Sequence, residues 1–268
     1  EALKEKLDRE KRPDLWNKLS GCGENLPLVC VNCGTKKMAS VKCKRRWCPV
    51  CSYYIAVERV AKYKAVVRGF EWPLFVTLTM KNTVTPDGLK QMKDAFGKWR
   101  RRKLVRNKVK SGIVGFEMTN KGNGWHPHCH MLLDCRWLSL HVPEPRRSDT
   151  GEEKRRKCVA AANELGRLWA DVLKQETASV LVRRGDAEAL IEVLKYSVKG
   201  SELVEMDEEA APVIDVMEGM RLMTTFGEVR KIKKDENPEE GEIGGCQCEK
   251  CLMVGTIVPE SCVNFYIR

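Results

Sequence analysis

The stretch "GIVGFEMTNKGNGWHPHCHMLLDC", residues 112–135, limits the architecture of this chain more than any other. Two runs rich in β-branched and apolar residues flank a "KGNGW" turn sequence, which is the pattern of an antiparallel hairpin. Side chains alternate along a strand, so His128, His130 and Leu132 share one face while Cys129, Met131 and Leu133 share the other. The chain has four histidines, and three of them, His126, His128 and His130, are crowded here; His141 follows later. Imidazoles at i and i+2 of a strand point the same way and can hold one metal ion. On the first run Ile113, Gly115 and Glu117 share a face, so Glu117 meets the imidazoles if the register places it opposite. Two histidines and a carboxylate leave positions open for water and a phosphate oxygen, which suits Mg²⁺ or Mn²⁺ acting as a Lewis acid. Pro127 is expected to mark the start of the second strand, which favours His128 and His130 over His126 as ligands.

A phosphate-bearing substrate agrees with the charge. The 268 residues carry 48 Lys and Arg against 37 Asp and Glu, a net charge of +11, with the excess gathered in "KCKRRW" (42–47) and "KWRRRKLVRNKVK" (98–110). Such runs point to a polyanion, so Lys44, Arg45, Arg46, Arg100, Arg101 and Arg102 are the candidate DNA contacts. No apolar stretch approaches the length of a membrane span, and the charged first twenty residues lack the apolar centre of a signal peptide. A cytoplasmic protein with no membrane partner is expected.

In a reducing compartment the thirteen cysteines read as metal ligands rather than disulfides. "CVNCGTKKMASVKCKRRWCPVC" (30–51) holds two Cys-x2-Cys pairs, Cys30 with Cys33 and Cys48 with Cys51, spaced to close a tetrahedral Zn²⁺ site. Cys43 and Cys22 compete for ligand positions in the same module.

Further along, residues 53–70 have helical spacing closed by Gly69, "PLFVTLTM" (73–80) reads as a buried strand, and residues 85–108 read as one basic amphipathic helix. A loop over 141–157, a helix over 158–175 and a short strand over 178–184 follow. In "DAEALIEVLKYSVKG" (186–200) Asp186 is a good N-cap and Gly200 a good C′ residue, with Leu190, Ile191, Leu194 and Val198 as the apolar stripe. Glu192, Tyr196 and Lys199 are spaced four and three apart, so all three can face one point.

The order of "FVTLTM", "HPHCHMLL" and "EVLKYSVKG" resembles the three motifs of the HUH endonucleases. The chain is most similar to the rolling-circle replication initiators of small plasmids, which also have a "CKRRWCPVC"-like element and one tyrosine preceded four residues earlier by a glutamate. The resemblance runs from about residue 30 to residue 200. It implies an α+β palm, a central antiparallel sheet of four or five strands flanked by helices, behind a zinc-binding amino-terminal module. It also implies that Tyr196 attacks a phosphodiester of single-stranded or hairpin origin DNA, leaving a 5′-phosphotyrosine and a 3′-OH primer, with strands rejoined at termination. Glu117, His128 and His130 would hold the metal, Lys199 would stabilise charge, and Glu192 would be the base for a terminating water. Host helicase and polymerase are expected partners. A transposase with the same nicking chemistry and a non-catalytic zinc protein that binds nucleic acid are the other readings.

The expected organisation is a basic zinc module with a helix over 1–70, an endonuclease core over 71–200 and an extension over 201–268. In the extension, residues 233–245 read as a linker, and Cys246, Cys248 and Cys251 with Cys262 form a candidate second zinc site.

Overall fold

The computed structural model describes residues 1–30, 36–120, 122–139, 159–195, 203–204, 210–231 and 265–267. In chain order the elements are α1 (Ala2–Arg9), α2 (Pro13–Leu19), β1 (Asn25–Cys30), β2 (Lys36–Ser40) and α3 (Pro49–Arg68). Then come β3 (Pro73–Thr79), α4 (Gly88–Arg101), α5 (Lys103–Lys108), β4 (Ser111–Asn120), β5 (Trp125–Asp134) and α6 (Arg136–Ser139). The remainder are α7 (Val159–Leu173), β6 (Val180–Arg184), α8 (Ala187–Lys195), α9 (Ala211–Met217), β7 (Met223–Phe226) and β8 (Phe265–Ile267). No described helix is long and apolar enough to cross a membrane.

The central sheet has the order β6-β3-β5-β4-β7, with every neighbouring pair antiparallel. The fold is thus α+β, as the resemblance implies. Its two faces follow from the alternation within each strand. On one, Leu74, Val76, Leu78, Val114, Phe116, Met131 and Leu133 are buried against Leu89, Met92, Phe96 and Trp99 of α4 and Leu165 and Trp169 of α7. The other carries Phe75, Ile113 and Leu132, covered by Tyr63 of α3 and by Ala189, Leu190, Val193 and Leu194 of α8. The imidazoles lie beyond the end of this second cluster, where the helices leave the sheet uncovered enough for His130 to stay partly exposed.

Three expectations change. The basic segment is two helices, because the backbone of Arg102 turns extended, with φ −56° and ψ 132°. The stripe Met92, Phe96, Trp99 would continue through Lys103 and Arg106, whereas Val105 and Val109 are out of phase with it. Breaking at Arg102 rephases them, and both are buried. The second strand begins at Trp125 rather than after Pro127. Pro127 sits opposite Met118, and its carbonyl accepts from the Met80 N–H at 3.1 Å. Its nitrogen therefore faces the side where β3 has ended, and the ladder to β4 loses no donor. Finally, on α8 the buried positions are Leu190, Val193 and Leu194, while Ile191 is 45% exposed; Val198 lies outside the described residues.

The sheet also extends past residue 200, since β7 is its edge strand on β4. Gly227 makes that return with φ +65°, and a Cβ there would lie 2.2 Å from the Lys110 carbonyl oxygen. Gly227→Ala should therefore destabilise the fold by at least about 1–2 kcal/mol for the left-handed backbone alone, with the steric overlap added. A urea midpoint unchanged from wild type would contradict this.

At the amino terminus β2, β1 and β8 form a separate three-stranded sheet. The Glu10 carboxylate accepts from the N–H groups of Ala210 and Ala211, both at 2.8 Å, satisfying orphan donors at the start of α9. Arg12 bridges Asp14 and Asp215, and Lys18 reaches Glu218 at 2.6 Å. These contacts join the amino-terminal helices to the segment that carries β7.

Candidate active site

The register of β4 on β5 sets Glu117 directly opposite His128, with Gly115 opposite His130. Glu117 Oε2 lies 3.2 Å from His128 Nε2 and 3.1 Å from His130 Nε2. The three side chains form a group that can hold a metal ion.

The outer ring nitrogens decide what the inner ones can do. His128 Nδ1 lies 3.0 Å from the carbonyl oxygen of His126, which only accepts, so Nδ1 carries a proton. In the neutral ring Nε2 is then a bare lone pair aimed at a carboxylate oxygen, and such an acceptor pair needs a cation or a proton between its members. His130 Nδ1 is tied to Thr77 Oγ1 at 2.9 Å. When the rings are protonated in place of a bound ion, burial still raises the affinity of Glu117 for its proton, but hydrogen bonds from His128 and His130 and their charge outweigh it and hold the carboxyl at about 2. The carboxylate is ionised wherever the protein works, and the donor set fits a divalent cation of the Mn²⁺ kind.

His126 shares this face, with Nδ1 at 2.8 Å from Asn82 Oδ1, but it is not among the three converging groups. Cys129 is fully buried on the opposite face, where burial pushes its thiol up and away from reactivity. His141, Tyr196 and Lys199 lie outside the described residues, as do Cys246, Cys248, Cys251 and Cys262.

α8, the helix that leads directly into Tyr196, is fixed at its start by Asp186, whose Oδ1 accepts from the Ala189 N–H at 2.7 Å. Glu192 is exposed on its surface and pairs with Arg183 of β6. The Arg183 guanidinium lies 4.1 Å from the centre of the Phe75 ring, and Phe75 stacks on His130 with ring centres 5.5 Å apart. Thr77, Phe75 and Arg183 were not singled out from sequence. The signal was present: Phe75, Thr77 and Thr79 alternate on the strand paired with β5, so a threonine inside an apolar run falls on the imidazole face.

The second cluster joins Cys48 and Cys51 to the two cysteines that compete for ligand positions in the sequence. Cys22, Cys43, Cys48 and Cys51 converge, with Cys22 Sγ 3.5 Å from both Cys48 Sγ and Cys51 Sγ, and Cys43 Sγ 3.7 Å from Cys51 Sγ. A tetrahedron with Zn–S bonds of ≈ 2.3 Å has edges of about 3.8 Å, so these separations fit a shared ion and exceed a disulfide bond. Burial pushes the Cys48 thiol up to about 11, so a cation is what would draw its proton off. Gly23 N–H donates to Val41 O and Val41 N–H to Glu24 O, which places Cys22 and Cys43 beside each other at the base of the β1–β2 hairpin. Cys30 ends β1 at the far end, about 16 Å along the strand from Asn25 at roughly 3.3 Å per residue. The side chain of Cys30 and all of Cys33 lie outside the described residues.

Of the candidate DNA contacts, Arg102 pairs with Asp171, Arg45 reaches Glu218 at 3.3 Å, Arg46 donates to Met220 O at 3.2 Å and Arg100 lies over the Phe226 ring. Lys44 and Arg101 are exposed.

Residues 35–136, which include β3, β4, β5 and the three converging side chains, match the family model described as a replication protein, Rep_1. The chain is also 26% identical over 252 aligned residues to "Protein rep" of Lactiplantibacillus plantarum, covering 84% of this chain and 75% of that protein. No solved structure matches it. On these matches the chain is similar to replication proteins, and the matched stretch carries the three converging side chains.

Proposed function

We propose that this replication initiator nicks one strand of origin DNA through Tyr196, with Glu117, His128 and His130 holding the catalytic metal. The observation that carries the reading is the convergence of both Nε2 atoms and the ionised Glu117 on one point, on the sheet face packed by the helix that runs into Tyr196. Bound there, Mn²⁺ or Mg²⁺ would supply Lewis-acid polarisation of a phosphate oxygen. The Tyr196 oxygen attacks phosphorus, the bond from phosphorus to the 3′ oxygen breaks, and that oxygen leaves as the 3′-OH primer. Lys199 offsets the charge that gathers on the phosphate. The tyrosyl ester keeps the phosphodiester reactive, so the strand can be rejoined. Zn²⁺ in the Cys22, Cys43, Cys48 and Cys51 site is structural.

Incubation with Mn²⁺ and a 3′-labelled single-stranded library should give a protein–DNA adduct that survives denaturation. Chelation, His128→Ala and Glu117→Ala should each remove it. An adduct of normal yield in all three would refute the metal assignment.

Glu192 is the proposed base for the water that ends a replication round. Its pairing with Arg183 holds it on the face that carries His130. Glu192→Ala should still form the Tyr196 adduct yet fail to release the hydrolysed product on a template with two tandem origins. Normal termination would assign that step elsewhere.

A further inference from the structure

We propose that a basic groove along the free edge of β7 binds the phosphate backbone of double-stranded DNA, the paired arm flanking the cleavage site. The inference rests on the nicking reading and adds where the uncleaved duplex lies.

Two clefts meet at Arg221. One, of about 710 Å³, is walled by α4 and β7 and lined by Lys93, Arg100, Arg101, Arg221 and Arg230 with no acidic side chain. The other, of about 420 Å³, continues past Arg221 to Lys44, Arg45 and Arg46, which lie between Cys43 and Cys48 of the cysteine cluster. Its one carboxylate, Glu218, is already engaged by Lys18, Arg45 and the Trp47 indole N–H. Lys93, Arg101, Arg221 and Arg230 form no ion pair among the described residues. Burial and then the charge of Arg230 weaken the hold of Arg100 on its proton, which is the mark of cations gathered without a counterion. Such a gathering is repulsive alone and favourable around a polyanion.

The lining selects duplex over single strand. The rings in the larger cleft are buried, Tyr63 at 9%, Phe96 at 4% and Phe116 at 1% exposed, so none can stack on a base. Single strands are held largely by such stacking, whereas a duplex offers phosphates and keeps its bases paired. The position suits the reaction as well. Met223 pairs with Gly115 and Gly115 with His130, which puts β7 one strand from Glu117 and two strand spacings, about 10 Å, from His130.

The test uses the full chain with its zinc retained and no Mn²⁺ or Mg²⁺ added, so that nicking does not intervene, and titrates a short labelled duplex of arbitrary sequence at several salt concentrations. Arg221→Ala/Arg230→Ala should lower duplex affinity about tenfold and reduce the slope of log affinity against log salt by roughly two. Arg221→Lys/Arg230→Lys should restore most of both, since both side chains are exposed and only their charge is used. Duplex affinity and slope equal to wild type in the alanine variant would overturn the proposal. So would a single-strand affinity that falls by the same factor, because the groove would then be a single-strand channel. Wild-type adduct formation is scored separately, so loss of the nicking reading and loss of the groove give different results.

Discussion

Tyr196→Phe is expected to abolish the covalent adduct, lowering its rate of formation by on the order of 10³-fold or more, while DNA affinity changes by no more than about twofold. The substitution removes one oxygen and keeps the ring. α8 would still be capped by Asp186 and pinned by Leu190, Val193 and Leu194. A 3′-labelled single strand read on a denaturing gel separates the two quantities, because the label stays with the protein only if the 5′ phosphate is esterified. Tyr63 supplies the control. It packs on the same sheet face, but burial raises its hydroxyl away from ionisation, so Tyr63→Phe should leave the adduct in place. Full adduct in Tyr196→Phe with none in Tyr63→Phe would move the nucleophile to α3.

The grouping of Glu117, His128 and His130 was legible in the sequence because a strand has a period of two and a short hairpin has few registers. Once "GFEMTN" and "HPHCHM" were read as partners, the parity that put His128 with His130 also put Glu117 on their face, and the register Glu117 to His128 completed it. What the sequence could not give was the shell around it. The Thr77 contact needs β3 beside β5, a non-sequential neighbour, and the Arg183 stack needs β6 beyond that. The helix break at Arg102 was written in the phase of Val105 and Val109, but only a known core position gives that phase meaning. The strand at 223–226 sits in a stretch the motifs do not reach, and its place at the sheet edge comes from pairing with β4.

The cysteine ligands show the same limit more sharply, and they carry the second large expectation. Cys-x2-Cys spacing finds ligands that a single turn brings together, which holds for Cys48 and Cys51 at the start of α3. The other two ligands are twenty-one residues apart in sequence and meet because β1 and β2 fold back on each other, so local spacing favoured Cys30 and Cys33 instead. Cys22→Ser or Cys43→Ser should therefore release the bound zinc and unfold the module, since a structural site returns much of its binding free energy as folding free energy. Cys30→Ser and Cys33→Ser should keep it. The loop from Lys44 to Trp47 lies between two ligands and contacts Glu218 and Met220, so its grip on the α9 end should loosen with the metal. Metal content by elemental analysis, with protease susceptibility near residue 44 as the structural readout, distinguishes the sets. Zinc retained by Cys22→Ser and lost from Cys33→Ser would restore the pairing that spacing alone suggests and would mean that the hairpin base is not where the ion sits.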